Sequence, residues 1–316
     1  MTQKSNTKNI KKGGEIKELL KPKYDVVFQS LFSDKNKVET GYLISAILGK
    51  KIKVIKVNTE VSEMREFPEE KIGRLDLIAE TTENELVHIE LQLYDYHNTV
   101  KRLLYSLDQK ISKQLFRGQE YKDIKRTITI GLLNYELEEI KHLKKMHTIW
   151  KLREEYNRDE VLTDLQELHI IEMTKAKFEY EKNPNNILAQ WILFILNPNE
   201  REVKSIMEDN KEINKTKSKL EDLSEDEHIR KRAEILARWE LEEKWNKASL
   251  EQYVTNKVTK EVTEKVTKQV TKQVTEQVTE KTKEEIAISM LNKSIDIDTI
   301  SEITGLSKKK ITELKV

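Results

Sequence analysis

Residues 71–92 read KIGRLDLIAETTENELVHIELQ, two alternating apolar runs on either side of a polar turn. In the first run Leu75, Leu77 and Ala79 share one face, and Arg74, Asp76 and Ile78 the other. In the second, Val87, Ile89, Leu91 and Leu93 oppose His88, Glu90 and Gln92, as the two-residue period of a strand requires. Thr81 to Glu85 suit a short hairpin loop. A turn centred on Glu83 pairs Leu75 with Leu91, Leu77 with Ile89 and Ala79 with Val87. A slip of one residue breaks all three apolar pairs, so this register is the one expected. It sets Asp76 opposite Glu90 and Arg74 opposite Gln92.

Two carboxylates facing each other across a ladder repel. Their Cβ atoms stand about 4.5–5.5 Å apart, close enough to share one divalent cation. Oxygen ligands in a chain with no Cys favour Mg²⁺ or Mn²⁺ over zinc. Such an ion polarises a phosphoryl oxygen. The competing reading is a surface hairpin in which Asp76 pairs with Arg74 and Glu90 with His88.

Beyond the hairpin, Val100, Leu103, Leu104, Leu107, Ile111 and Leu115 make an apolar stripe at helical spacing, with Arg102, Lys113 and Arg117 roughly opposite and Tyr105 packing between the faces. From Tyr94 to Arg126 there are eight Lys/Arg and four Asp/Glu, a net of +4 in a chain whose formal charge is +1. A basic face beside an acidic hairpin suits phosphate contacts, whereas its ordinary meaning is a solvated helix surface. Asp25 is a candidate additional acid, against the plainer role of a helix N-cap or first-turn carboxylate. Glu63 is a weaker candidate of the same kind. His97 is a loop His that could act in proton transfer, against the plainer reading of a solvated side chain.

With 57 basic and 56 acidic side chains, the chain is not a wholesale basic nucleic-acid binder. The absence of Cys excludes a disulfide scaffold, a thiol nucleophile and Cys-ligated metals. No apolar run approaches the length of a membrane span, and the Lys-rich start lacks a signal-peptide core. A cytoplasmic protein is expected.

Organisation follows the charge. Residues 15–198 carry enough apolar pattern for a core, ending in the apolar helix 186–196, and 199–250 form a charged helical region. Residues 251–283 repeat Val-Thr every fourth position from Val254 to Val278. Each step advances about 40° around a helix, so the valines spiral through roughly 240° and make no single coiled-coil seam. A solvated helical spacer is expected there. Residues 284–316 outline a helix-turn-helix, with Asp298 and Ser307 as caps, Gly305 in the turn, and Lys308, Lys309 and Lys310 facing a DNA groove. A helical pair docking on another subunit fits the same outline.

Asp76, thirteen intervening residues, then Glu90-Leu91-Gln92 resembles the PD-(D/E)XK nuclease signature, and most closely the recombination-promoting nuclease and transposase family, in which Gln often stands last. KPKYDVVFQSLF (21–32) resembles the family's opening helix and RLLYSLDQKISKQLFRGQEY (102–121) its post-motif helix. LTDLQELHIIEMTK (162–175), the 186–196 helix and the terminal SEITGLSKKKI also match its layout. The resemblance implies Asp76 and Glu90 as metal ligands with the Leu91 carbonyl as a third, and an α/β restriction-endonuclease core whose mixed central sheet is flanked by helices, with a helical C-terminal extension. Gln92 replaces the Lys of the wider superfamily and removes a cation from the site.

The expected strands are 52–60, 73–79, 87–93, 126–133, 146–152 and 166–173. The expected function is a Mg²⁺- or Mn²⁺-dependent DNA endonuclease linked to recombination, mobile elements or defence. Asp76 and Glu90 hold the metal, Gln92 orients water, and Arg102, Lys113 and Arg117 contact DNA phosphates. Two alternatives remain: a catalytically silent DNA-binding protein, and an assembly protein that forms homo-oligomers through its C-terminal helices.

Overall fold

The computed structural model describes residues 18–60, 74–95, 97–116 and 118–314. The chain forms two compact units, 1–240 and 241–316. In the first, α1 (Asp25–Leu31) and α2 (Lys37–Leu48) precede the antiparallel strands β1 (Val54–Glu60), β2 (Arg74–Thr81) and β3 (Leu86–Gln92). Then come α3 (Thr99–Ser112), β4 (Thr127–Leu133), the edge strand β5 (His147–Trp150) and β6 (Gln166–Glu172). The sheet order is β1-β2-β3-β4-β6-β5; β3–β4 and β4–β6 are parallel and β5 is antiparallel to β6. This is the mixed sheet expected, and all six strands fall at or within two residues of the expected ranges.

The hairpin has the predicted register, with Asp76 opposite Glu90 and Arg74 opposite Gln92. Its turn closes by Thr81 N–H donating to the Glu85 carbonyl (3.0 Å), with Asn84 in the left-handed region at φ 60°. One sheet face carries Leu77, Ala79, Val87, Ile89, Leu91, Ile128, Ile130, Leu132 and Ile171 into the main core. Phe28, Leu43 and Ile44 from α1 and α2 pack in that core, with Trp191 and Phe194 of α5 (Ile187–Leu196), which follows α4 (Ala176–Lys182). Because β3 to β4 crosses over through α3, the other face is covered too, and every residue of β4 is buried.

That second face turns Asp76, His88, Glu90 and Gln92 towards α3. The helix settles closely because Gly131, paired with Glu90 in register, leaves space for Leu103; a Cβ on Gly131 would meet Leu103 Cδ1 at 2.9 Å. The expected apolar stripe is narrower in the structure. Thr99, Leu103, Leu107 and Lys110 form the buried row of α3, while Leu104 and Tyr105 are exposed. Successive residues are about 100° apart on a helix, so seating Leu103 and Leu107 on the sheet turns Leu104 outward.

The packed core continues past residue 198. Val203, Ile206 and Met207 of α6 (Arg201–Asp209) and Ile213 and Leu220 of α7 (Lys211–Glu225) are buried in it. The charged composition of 199–250 masks an i, i+3, i+4 apolar row that is sufficient to dock both helices. Lys23 and Glu240 add a buried ion pair at 2.6 Å, and the Tyr24 hydroxyl donates to the same carboxylate at 3.0 Å.

The helix α8 (Glu227–Asn292) contains the Val-Thr repeat, and each valine from Val254 to Val278 is about half exposed. In the second unit Ala287, Ile300, Leu306 and Ile311 make a small core with α9 (Ile297–Thr304) and α10 (Lys308–Glu313). Ser307 caps α10 as expected, accepting from Lys310 N–H at 3.3 Å, and Gly305 lies in the left-handed turn. The α9 cap is Asp296, not Asp298: Asp296 has the extended backbone of an N-cap and accepts from Thr299 N–H at 2.9 Å, leaving Asp298 within the first turn. Among the described residues no helix is long and apolar enough to cross a membrane.

Candidate metal centre

Strand alternation sends Asp76, His88 and Glu90 to one face, and the antiparallel register brings them together. One ligand atom from each lies within 4.8 Å of the others. Glu90 and His88 are buried on the central strand β3, and Asp76 is partly open. His88 Nε2 stands 3.5 Å from Asp76 Oδ1, yet neither ring nitrogen completes a hydrogen bond. The competing pairing of Glu90 with His88 therefore gives way to an Asp76–His88 contact, diagonal across the ladder.

Two cations from α3 offset the carboxylates. Arg102 Nη2 lies 2.5 Å from Glu90 Oε1, with the arginine side chain only 20% exposed. Lys110, eight residues further along α3, is buried, and its charge acts on Asp76. Burial pushes the Asp76 carboxyl up, but His88, Lys110 and Arg102 outweigh it and hold the group below its ordinary value. The repulsion expected between Asp76 and Glu90 is thus largely compensated in the folded chain. Lys110 was legible only as a lysine inside an apolar row, two turns beyond Leu103.

Gln92 is buried and held at both ends of its amide. Its Nε2 donates to Glu90 Oε1 at 3.1 Å, and its Oε1 accepts from Tyr135 Oη at 2.7 Å and from Thr99 Oγ1 at 3.4 Å. Burial pushes the Tyr135 hydroxyl up to about 12, so it remains a donor to this amide. The Leu91 side chain belongs to the opposite face, in the main core, so its contribution to the site is limited to its backbone.

The other expected site residues are more scattered. Asp25 opens α1, where its carboxylate accepts from Val26 N–H at 2.5 Å; it is not part of the three-residue cluster. Burial raises its carboxyl above the ordinary value. Lys113 follows α3 and is exposed, and His97 is exposed at φ 58° near Asp95. Arg117 and Glu63 lie outside the described residues. In the tail, Lys308 pairs with Asp298 and Lys310 with Glu284 (2.7 Å), both within the second unit.

A mixed sheet presenting Asp76 and Glu90-Leu91-Gln92 on adjacent strands is the arrangement the motif requires. The chain matches the family described as PD-(D/E)XK nuclease family transposase over residues 22–249, more than half its length. The chain belongs to this family. Residues 280–316 match a second description, the Rpn/YhgA-like nuclease family C-terminal HTH domain, a range that takes in the end of α8 with α9 and α10. No curated protein and no solved structure gives a significant match. Within this PD-(D/E)XK nuclease, the donor set fits a divalent cation. Two carboxylates converge with an imidazole whose nitrogens are buried and unsatisfied, a costly arrangement for a purely structural cluster.

Proposed function

We propose that this PD-(D/E)XK family member is a cytoplasmic, divalent-metal-dependent DNA endonuclease acting in recombination, mobile-element movement or defence. The observation that carries the reading is the convergence of Asp76 and Glu90 with His88 on the face covered by α3. Asp76 and Glu90 would hold Mg²⁺ or Mn²⁺, with the Leu91 carbonyl as a further donor. The bound ion supplies Lewis-acid polarisation of a phosphoryl oxygen and a more acidic water.

The chain's own side chains do the rest. Gln92 fixes Glu90 through its amide N–H, and Tyr135 and Thr99 fix Gln92, so Gln92 is a positioning residue rather than the water-orienting group its place in the motif suggests. Arg102 neutralises Glu90, and its guanidinium would engage a phosphate of the DNA. Lys110 balances Asp76 from inside the fold. Lys113 and Arg117 would contact the DNA backbone, and the helix-turn-helix unit would add a second contact with DNA. Self-association through the C-terminal helices belongs to the same proposal, and sizing the chain with and without residues 251–316 tests it.

Supercoiled plasmid incubated with the purified chain and Mg²⁺ or Mn²⁺ should be nicked or linearised. The Asp76→Ala variant should leave it supercoiled. A DNA-binding protein without cleavage is the second reading, favoured by one observation: both ends of the Gln92 amide are engaged where the superfamily places a lysine. Retarded plasmid that is never cut, with either ion, would decide for it.

A further inference from the structure

His88 is fully buried on the central strand, and neither of its ring nitrogens makes a hydrogen bond. Leaving a buried donor or acceptor unpaired costs about 1–3 kcal/mol, and an aliphatic residue would fill a strand position facing α3 without that penalty. The ring is aimed at a carboxylate, with Nε2 at 3.5 Å from Asp76 Oδ1. Directly beside it in the β3–β4 register stands Thr129, whose hydroxyl is likewise buried without a hydrogen-bond partner. Two orphaned polar groups therefore adjoin one another at the edge of a carboxylate pair.

We propose that His88 is a protein ligand of the metal centre, with Thr129 orienting its ring, so that the site takes a first-row transition dication such as Mn²⁺ ahead of Mg²⁺. The inference rests on the reading that Asp76 and Glu90 hold a divalent cation. Metal–ligand bonds of about 2.0–2.2 Å need donor atoms roughly 3–4 Å apart. The three ligand atoms lie within 4.8 Å of one another, so coordination would draw them closer by side-chain rotation. A metal-bound histidine usually donates its second nitrogen to a nearby acceptor, and Thr129, the register neighbour of His88, would supply that acceptor. Mg²⁺ is a hard ion that favours oxygen and sheds water reluctantly, whereas imidazole suits transition dications.

The test is electron spin-echo spectroscopy of Mn²⁺ bound to the full chain, alongside Mn²⁺ and Mg²⁺ titrations. The parent should show modulation from one directly bound nitrogen, and this should change isotope when histidine is supplied as ¹⁵N. His88→Gln should lose the modulation and weaken Mn²⁺ roughly tenfold, with little change for Mg²⁺. His147→Gln and His169→Gln should keep the modulation. Should His88→Gln not fold, Thr129→Val in the parent background should still alter the nitrogen coupling, because it removes the ring's orienting partner. Mn²⁺ binding that needs Asp76 but shows no nitrogen overturns the His88 inference and leaves the carboxylate centre standing. Nitrogen modulation that survives His88→Gln also overturns it. If neither ion binds, or binding ignores Asp76→Asn, the metal centre itself is wrong.

Discussion

His88 and Glu90 stand two residues apart on β3, and Glu167 and His169 stand two apart on β6, on opposite faces of one sheet. The second pair is closed. His169 Nε2 meets Glu167 Oε1 at 3.0 Å, and its Nδ1 meets His147 Nε2 at 2.8 Å. Glu167 Oε2 takes Arg126 at 2.5 Å and Lys151 at 3.1 Å, and Arg126 reaches on to Glu85 at 2.6 Å. In the first pair only the imidazole is open: His88 completes no hydrogen bond, while Glu90 is held by Gln92 at 3.1 Å and by Arg102 at 2.5 Å. Identical residue types at the same spacing thus serve two ends. A densely paired polar network holds strands together, while an imidazole left unpaired beside carboxylates is available to a ligand.

The comparison predicts a double dissociation. Asp76→Asn should lower plasmid cleavage by about a thousandfold, on the order of 4 kcal/mol in the barrier, while moving the melting temperature little. Glu167→Gln should do the reverse. It strips the anionic partner from Arg126, Lys151 and His169 in a site where Glu167 is only 7% exposed. Breaking such a buried ion pair costs about 3 kcal/mol, several degrees in a melt, with cleavage per folded molecule retained. Equal losses of cleavage in the two variants would erase the distinction between the faces.

Arg102 sharpens the contrast, since it occupies Glu90 as a cation would. Arg102→Gln removes a charge that competes with the metal, so Mg²⁺ and Mn²⁺ should bind about tenfold more tightly by calorimetry. Cleavage should still fall, because the guanidinium no longer meets phosphate. Weaker metal binding in this variant would show that Arg102 supports the centre rather than contending for it.

The closed pair predicts a pH signature. Burial, reinforced by His169, lowers His147 to about 4 from the ordinary histidine value of 6.5. A group depressed on folding contributes stability above its unfolded pKa and loses it as pH falls towards the folded one. His147 should therefore stabilise the chain at pH 7 and lose on the order of 2 kcal/mol by about pH 4.5. Glu167, also held below its ordinary value despite burial, adds acid sensitivity at still lower pH. His147→Gln should flatten the melting profile between about pH 6.5 and 4.5. An unchanged slope would mean that the stack of His147 on His169 carries no linkage.

Much of the architecture was legible because strand alternation is a local signal. The hairpin register followed from keeping Leu77 with Ile89 and Ala79 with Val87, and that register alone put Asp76 opposite Glu90. The partners supplied by α3 were not legible in the same way. Which side of a helix meets a sheet depends on contacts between segments distant in sequence, here Leu103 against Gly131. Arg102, read as facing outward, consequently turned towards Glu90, and Lys110 entered unannounced. The docking of α6 and α7 escaped for a related reason: their charge obscured a short apolar row.

The smallest predicted effect tests that helix–sheet contact directly. A Cβ on residue 131 would stand 2.9 Å from Leu103 Cδ1 and 3.3 Å from Cδ2. Both atoms end a flexible side chain, so Gly131→Ala should fold, with Leu103 changing rotamer or α3 lifting by a fraction of an ångström, at a cost of about 1–2 kcal/mol. Arg102 precedes Leu103, so the same lift lengthens its 2.5 Å contact with Glu90. Gly49→Ala is the matched control. Gly49 ends α2 at φ 67° with nothing within 4 Å of a new Cβ, so its cost is backbone strain of about 1 kcal/mol, with no route to the centre. Both variants should melt a few degrees lower, but only Gly131→Ala should cut more slowly, by a few-fold at saturating metal. If the two variants cut equally well at a temperature where both are folded, the spacing of α3 from β4 does not set the geometry of the carboxylate pair. Arg102 would then have to be held at Glu90 by charge attraction alone.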